Sequence, residues 1–162
     1  MSDIKYLKIE KMMPVIKELL NAGGRVRITV TGMSMYPFLR GGKDSVTLAG
    51  TDFACIKSGD IVLIQRKNKQ YVLHRVMKKT KVAIYLCGDA EQWCEGPIYP
   101  EQFAAKAEGI WREEKYIECT HKLLQALVFM WRLAFPIRIF LIRFNGRLRN
   151  IRQSIKRRRG CI

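Results

Sequence analysis

The chain has 162 residues, an ordinary apolar fraction of 48% and a formal net charge of +16. Such a length and composition indicate a single domain with a buried core and exclude a predominantly disordered chain. The charge is unevenly placed, because residues 1–120 hold 19 basic and 14 acidic side chains, whereas residues 121–162 hold 11 basic side chains and no acidic one. We therefore expect a near-ordinary domain followed by a polycationic segment.

A short helix is predicted first, opened by Pro14, running through Asn21 and stopped by Gly23-Gly24, so that residues 1–24 form an N-terminal helical segment. Charged residues interrupt the apolar ones here, and no secretory signal peptide is predicted. Five cysteines without a CxxC pair indicate reduced thiols in the cytoplasm. Neither zinc nor another cofactor is expected, since close Cys or His pairs are missing.

A mainly β body is predicted over residues 25–120. It starts with Arg25–Thr31, where Val26, Ile28 and Val30 alternate with polar residues as in a half-buried strand. Further strands are predicted at Ser45–Leu48, Asp60–Gln65, Gln70–Met77, Val82–Leu86 and Phe103–Trp111. Many short strands separated by polar turns favour a coiled or barrel-like sheet over alternating strand-helix units.

Ser34 is the first candidate for chemistry. It follows a predicted strand and a glycine, and Pro37 three residues later predicts a tight, exposed bend. A serine hydroxyl attacks a carbonyl only when a base removes its proton and N–H groups await the oxyanion. A turn serine that caps a short helix is the alternative.

His74 is the candidate base. The alternation in Gln70–Met77 places it on one face with Val72 and Val76, which suits either a general base or a hydrogen-bonded core histidine. The only other histidine, His121, is expected at the surface. Asp89, in a Gly-Asp-Ala turn, and Glu95 are each candidates to orient the imidazole, the alternatives being a turn former and a solvated surface acid.

Four boxes then occur in an order that resembles type I signal peptidases and LexA-type repressors. They are Gly32-Met33-Ser34-Met35-Tyr36-Pro37-Phe38-Leu39, Gly59-Asp60-Ile61-Val62-Leu63, His74-Arg75-Val76 and Gly88-Asp89-Ala90. Pro37–Leu48 together with Leu73-His74-Arg75 also resembles small stand-alone bacterial peptidases of this superfamily, some of which are thought to trim leader peptides.

The resemblance implies a signal-peptidase/LexA-type β-fold and a serine endopeptidase acting on a peptide or precursor protein. Ser34 would be the nucleophile, His74 the base as in the archaeal and endoplasmic-reticulum type, and Glu95 or Asp89 the orienting acid. The oxyanion hole and substrate-binding positions would be Gly32, Met33, Met35 and Pro37, with a mainly backbone hole that includes the N–H of Ser34. No N-terminal membrane anchor of the family type is expected. The chain also departs from the family pattern in carrying Glu91 where asparagine is usual and glutamate instead of aspartate at position 95.

Two other classes of function remain open. A non-catalytic or self-processing regulator would use Ala22-Gly23 or Ala49-Gly50, which resemble the Ala-Gly bond cut in the repressors. A basic membrane or nucleic-acid adaptor with a vestigial site is the other alternative.

The segment 121–162 is predicted to be a basic amphipathic helix. Three arginines disfavour a transmembrane span for Leu123–Phe144, and Gln125, Arg132, Pro136, Arg143 and Arg147 fall on one side opposite an apolar face. We expect residues 123–159 to lie on an anionic membrane surface at its cytoplasmic side, with nucleic acid a less favoured partner. Docking of a C-terminal helix on the domain is the alternative.

Overall fold

A computed structural model describes residues 9–137, and it confirms that the body is mainly β. Residues 138–159 of the expected membrane-binding segment lie outside the described residues. The helices are α1 (Ile9–Asn21) and α2 (Lys122–Leu133), and the strands are β1 (Arg25–Thr29), β2 (Ser45–Ala49), β3 (Ile61–Gln65), β4 (Tyr71–Lys79), β5 (Ile84–Cys87), β6 (Glu95–Ile98), β7 (Phe103–Arg112) and β8 (Lys115–Glu118).

All eight strands belong to one antiparallel sheet with the order β1-β2-β7-β3-β4-β5-β6, and β8 pairs with β7. The long strand β7 is the junction, because it pairs with β2, with β3 near its start and with β8 near its end. The sheet is open, since no strand pair among residues 9–137 joins β1 to β6. The barrel-like form that the sequence suggested is therefore not a closed barrel.

Two hydrophobic clusters lie on the two faces of the central strands. Ile61 and Leu63 of β3 point into the first cluster, whereas Val62 and Ile64 point into the second, as the two-residue period of a strand requires. The first cluster also takes side chains from α1 and from the segment between β1 and β2, namely Met13, Ile16, Leu20, Met35 and Leu39. The segment that carries Ser34 is thus anchored in the core.

Helix α1 differs from its prediction, because Pro14 lies inside the described helix and does not open it. The buried residues Met13, Ile16 and Leu20 form the inward stripe, while Val15 and Leu19 are exposed. The partly buried Ile9 also packs on the first cluster, and this contact helps to hold the turn that precedes the proline. The strands β6 and β8 were not predicted; each has only four residues.

Candidate active site

Ser34 lies in the segment between β1 and β2, with the buried side chains of Met35 and Leu39 on its C-terminal side. The backbone oxygen of Ser34 accepts a hydrogen bond of 2.7 Å from the N–H of Ala90, in the turn between β5 and β6. Within residues 9–137 the Ser34 hydroxyl makes no hydrogen bond, and its side chain is half-buried. The sequence-predicted nucleophile is therefore fixed through its backbone while its hydroxyl is unengaged.

Gly88 permits this close approach of the two segments. A Cβ atom at position 88 would lie 2.6 Å from the backbone oxygen of Ser34 and 2.8 Å from Oε2 of Glu91. Both distances are shorter than van der Waals contact allows, so any larger residue would push the serine segment and the turn apart. Glycine is therefore required for steric reasons at the first position of the Gly-Asp-Ala turn.

His74 lies in β4 with only 3% of its surface exposed, and its face is the one shared with Val72 and Val76 in the second cluster, as the alternation predicted. Its Nδ1 lies 2.7 Å from Oε1 of Glu95. Because a carboxylate only accepts hydrogen bonds, this contact places a proton on Nδ1, so that Nε2 is the acceptor whenever the imidazole is neutral. That is the tautomer a general base requires.

Glu95 begins β6, and its carboxylate is held from the other side by Arg66. The Arg66 guanidinium donates to both carboxylate oxygens, at 2.7 Å from Nε to Oε2 and 3.0 Å from Nη2 to Oε1. Burial raises the pKa of Glu95, but the hydrogen bonds from Arg66 and the nearby charges outweigh it and hold the pKa below its usual value. The acid is therefore fixed and ionised.

Asp89 does not contact the imidazole, although it was one of the two candidates for the orienting acid. It is 1% exposed and binds the buried guanidinium of Arg75, with distances of 2.8 Å from Nε to Oδ1 and 2.6 Å from Nη2 to Oδ2. Arg75 also donates to the backbone oxygen of Gly59 at 2.8 Å, and it lies 5.1 Å from the ring centroid of Phe38. The Arg75–Asp89 pair thus joins residues of all four boxes.

Glu91 is a residue of the site that the sequence interpretation noted only as a departure from the family. Its Oε2 lies 3.6 Å from Nε2 of His74 and accepts a hydrogen bond of 3.1 Å from the N–H of Gly88. Nε2 of His74, the nitrogen that a general base would use, therefore faces a carboxylate in this structure. Arg66 was missed altogether, because it is 29 residues from Glu95 and no local pattern links the two.

The four predicted oxyanion and substrate positions have different surroundings. The side chain of Met35 is buried in the first cluster, so this residue can act only through its backbone, and Pro37 has no N–H to donate. Gly32 and Met33 are exposed. Within residues 9–137 the N–H groups of Gly32, Met33, Ser34 and Met35 are not engaged in hydrogen bonds, and those of Ser34 and Met35, at and directly after the serine, are the candidate donors to an oxyanion.

Helix α2 contacts both loops of the site. The indole Nε1 of Trp131 donates to the backbone oxygen of Asp89 at 2.9 Å, and its ring meets that of Phe38 edge to face at 6.1 Å between centroids. Val128 of the same helix is buried against the domain. Residues 122–133 are therefore docked on the domain, which was the alternative to a membrane-bound helix.

Neither the family models nor the curated proteins give a match to this chain. Within residues 9–137 no helix is both long and apolar enough to cross a bilayer. No group of three or more His, Cys, Asp or Glu side chains in the same range could hold a metal ion.

Proposed function

We propose that this chain is a serine endopeptidase of the signal-peptidase/LexA type that cleaves a peptide or precursor protein in the cytoplasm. The observation that carries the proposal is the 2.7 Å contact between Nδ1 of His74 and Glu95. The other nitrogen of this buried histidine lies 3.6 Å from Glu91, in the turn whose Ala90 N–H binds the backbone oxygen of Ser34. A hydrogen-bonded core histidine needs a partner for its N–H, but it does not need a partner that is itself fixed by an arginine, as Glu95 is by Arg66. The ordered boxes of the sequence support the same family.

In the proposed reaction the Ser34 oxygen attacks the carbonyl carbon of the scissile peptide, and its proton passes to Nε2 of His74. The N–H groups of Ser34 and Met35 donate to the oxyanion. His74 then protonates the leaving amine as the C–N bond breaks, and water hydrolyses the resulting ester by the same base. Glu95 holds the ring in its tautomer and balances the imidazolium charge.

For this reaction to proceed, the Glu91 carboxylate must move away from Nε2 of His74, so that this nitrogen can accept the proton of Ser34. In the structure the nearest carboxylate oxygen to that nitrogen belongs to Glu91, at 3.6 Å, and no hydrogen bond joins the Ser34 hydroxyl to it. Such contacts often tighten only when substrate is bound. A substrate that displaces Glu91 from the imidazole would complete the dyad.

A fluorophosphonate probe tests the proposal without a known substrate. Attack by an activated serine on phosphorus expels fluoride and leaves a covalent label, which peptide mass spectrometry should locate on Ser34. We expect no label in Ser34→Ala, and a labelling rate about 100-fold to 10,000-fold lower in His74→Ala.

Two matched variants serve as controls. Ser58→Ala removes an exposed serine on another loop, and His121→Ala removes the other histidine, which makes no side-chain cap at the start of α2. Both should be labelled as fast as the wild type. Label on a different serine, or equal labelling of Ser34 in wild type and His74→Ala, would contradict the proposal and favour an adaptor with a vestigial site.

Self-processing is separated from cleavage of another chain by intact mass after long incubation. Ala49 is buried and pairs in the sheet with Arg25 on one side and Lys106 on the other, whereas Ala22-Gly23 lies in an exposed turn. A fragment beginning at Gly23 or Gly50 that is absent from Ser34→Ala would make the chain its own substrate.

A further inference from the structure

Helix α2 is apolar on two opposite faces, only one of which is covered. Its inner face packs on the domain through Leu124, Val128 and Trp131. Its outer face remains 54% to 64% exposed at each of its members, Leu123, Leu127, Met130 and Leu133. Residues at this spacing form one stripe along a helix, so the exposed apolar surface is continuous.

The arginine of α2 is turned away from this stripe. Arg132 was expected on a solvent-facing polar side, but its Nη2 donates to Oγ of Ser58 at 2.7 Å and to the backbone oxygen of Met77 at 3.0 Å. Gln125 likewise donates to the backbone oxygen of Cys119. The polar side of the predicted amphipathic helix therefore contacts the domain. No member of the outer face is charged, and Lys122, exposed at the first position of α2 on the flank of that face, is cationic like the segment that follows.

Charge is supplied by the chain that follows α2. Residues 138–162 contain nine basic side chains and no acidic one. An uncharged apolar stripe next to a dense cationic segment matches the two layers of an anionic membrane surface, since acyl chains accept the stripe and headgroups attract the cations. A second copy of the chain would bring two polycations together, and nucleic acid would leave the stripe exposed to water.

We propose that the outer face of α2 docks on anionic lipid, with the basic residues after it holding the chain at the headgroups. The occupant is thus a phospholipid surface that bears negative charge. This proposal does not depend on peptidase activity. It keeps the apolar side of the helix that the sequence expectation turned to the membrane, and differs in placing Arg132 and Gln125 of the polar side against the domain.

Flotation of the full chain with vesicles tests the proposal. We expect it to bind vesicles of phosphatidylcholine that contain about 30% phosphatidylserine, and to bind pure phosphatidylcholine at least tenfold more weakly. The double variant Leu127→Glu/Met130→Glu should lose about 100-fold in partition coefficient, because two apolar side chains are withdrawn from the lipid and replaced by negative charges.

Two further variants keep the result interpretable. Val15→Glu/Leu19→Glu places the same charges on the exposed face of α1 and should bind as the wild type does. Arg157→Gln/Arg158→Gln/Arg159→Gln leaves the stripe intact and should weaken binding about 100-fold, since each charge near the surface adds about fivefold.

Equal binding to both kinds of vesicle, or equal loss in the α1 and α2 variants, would overturn the proposal. So would a concentration-dependent dimer that the α2 variant abolishes in the absence of lipid, because a second copy would then cover the outer face. Tight binding of a DNA duplex that survives Leu127→Glu/Met130→Glu, with no flotation of the wild type, would assign the basic segment to nucleic acid instead.

Discussion

Replacing Arg75 by methionine tests whether the Arg75–Asp89 pair holds the loops of the site together. The change keeps the aliphatic part of the side chain and removes the guanidinium. Asp89 then remains buried, at 1% exposure, without the two hydrogen bonds of 2.8 and 2.6 Å that neutralise it. The backbone oxygen of Gly59 loses its donor as well, and Phe38 loses the cation against its ring.

The expected loss in the free energy of unfolding is about 4 kcal/mol, because breaking a buried ion pair by removing one partner leaves an uncompensated charge that costs about 3–5 kcal/mol. Removing both charges, in Arg75→Met/Asp89→Leu, should recover about 2 kcal/mol of that loss, since apolar residues of similar volume replace buried pairs at little cost. The recovery distinguishes a stranded charge from a mere loss of packing.

Urea unfolding followed by circular dichroism measures both quantities. Arg25→Met is the matched control, because Arg25 makes an ion pair of 2.6 Å with Glu108 but at an exposed position, where water replaces the partner. Its unfolding free energy should stay close to that of the wild type. Equal losses in Arg75→Met and Arg25→Met, or a double variant as unstable as Arg75→Met, would refute the reasoning.

Two further predictions concern the acids around His74. Glu95→Gln should lower the free energy of unfolding by about 2 kcal/mol at neutral pH. This difference in unfolding free energy between wild type and Glu95→Gln should disappear as the pH falls through the depressed pKa of Glu95, because protonation of the carboxylate removes its stabilising contacts. Urea unfolding at a series of pH values measures it, and a difference that stays constant with pH would contradict the prediction. Glu91→Ala should speed Ser34 labelling about tenfold by freeing Nε2, whereas the exposed Glu101→Ala should not; an unchanged rate would count against competition.

The parts of the fold that the sequence predicted are those set by local pattern. The alternation in β4 placed His74 with Val72 and Val76, and the structure has these two valines in one cluster. The strand positions followed from runs of β-branched residues between polar turns. Such features depend on neighbours along the chain, which a single sequence displays directly.

Helix α2 shows why amphipathicity alone did not give the orientation of an element. Its periodicity separated a polar side from an apolar one, but the helix is docked with Arg132 and Gln125 toward the domain. The backbone oxygens of Met77 and Cys119 accept their hydrogen bonds there, and no pattern within α2 reveals that these acceptors exist. Arg66 was missed for the same reason, since its partner lies on another strand.

The two candidate acids could be distinguished only by strand register, which the sequence left undetermined. In the sheet Arg75 of β4 is the partner of Cys87 in β5, and cross-strand partners share a face. Asp89 lies in the turn directly after Cys87, the last residue of β5, and the Arg75 guanidinium bonds it there. Its carboxylate is therefore directed to Arg75, and adjacent His74, on the opposite face, is out of its reach.

Glu95 reaches His74 by the same rule applied twice. Val76 of β4 is the partner of Leu86 in β5, and Leu86 is the partner of Glu95 in β6, so these three side chains share a face. His74 lies two residues before Val76 and belongs to that face too. A shift of one residue in either pairing would turn Glu95 away and offer another residue to the imidazole. The acid is thus selected by the pairing of β4, β5 and β6, and a substitution that slips this register should remove the His74–Glu95 contact even if both residues are kept.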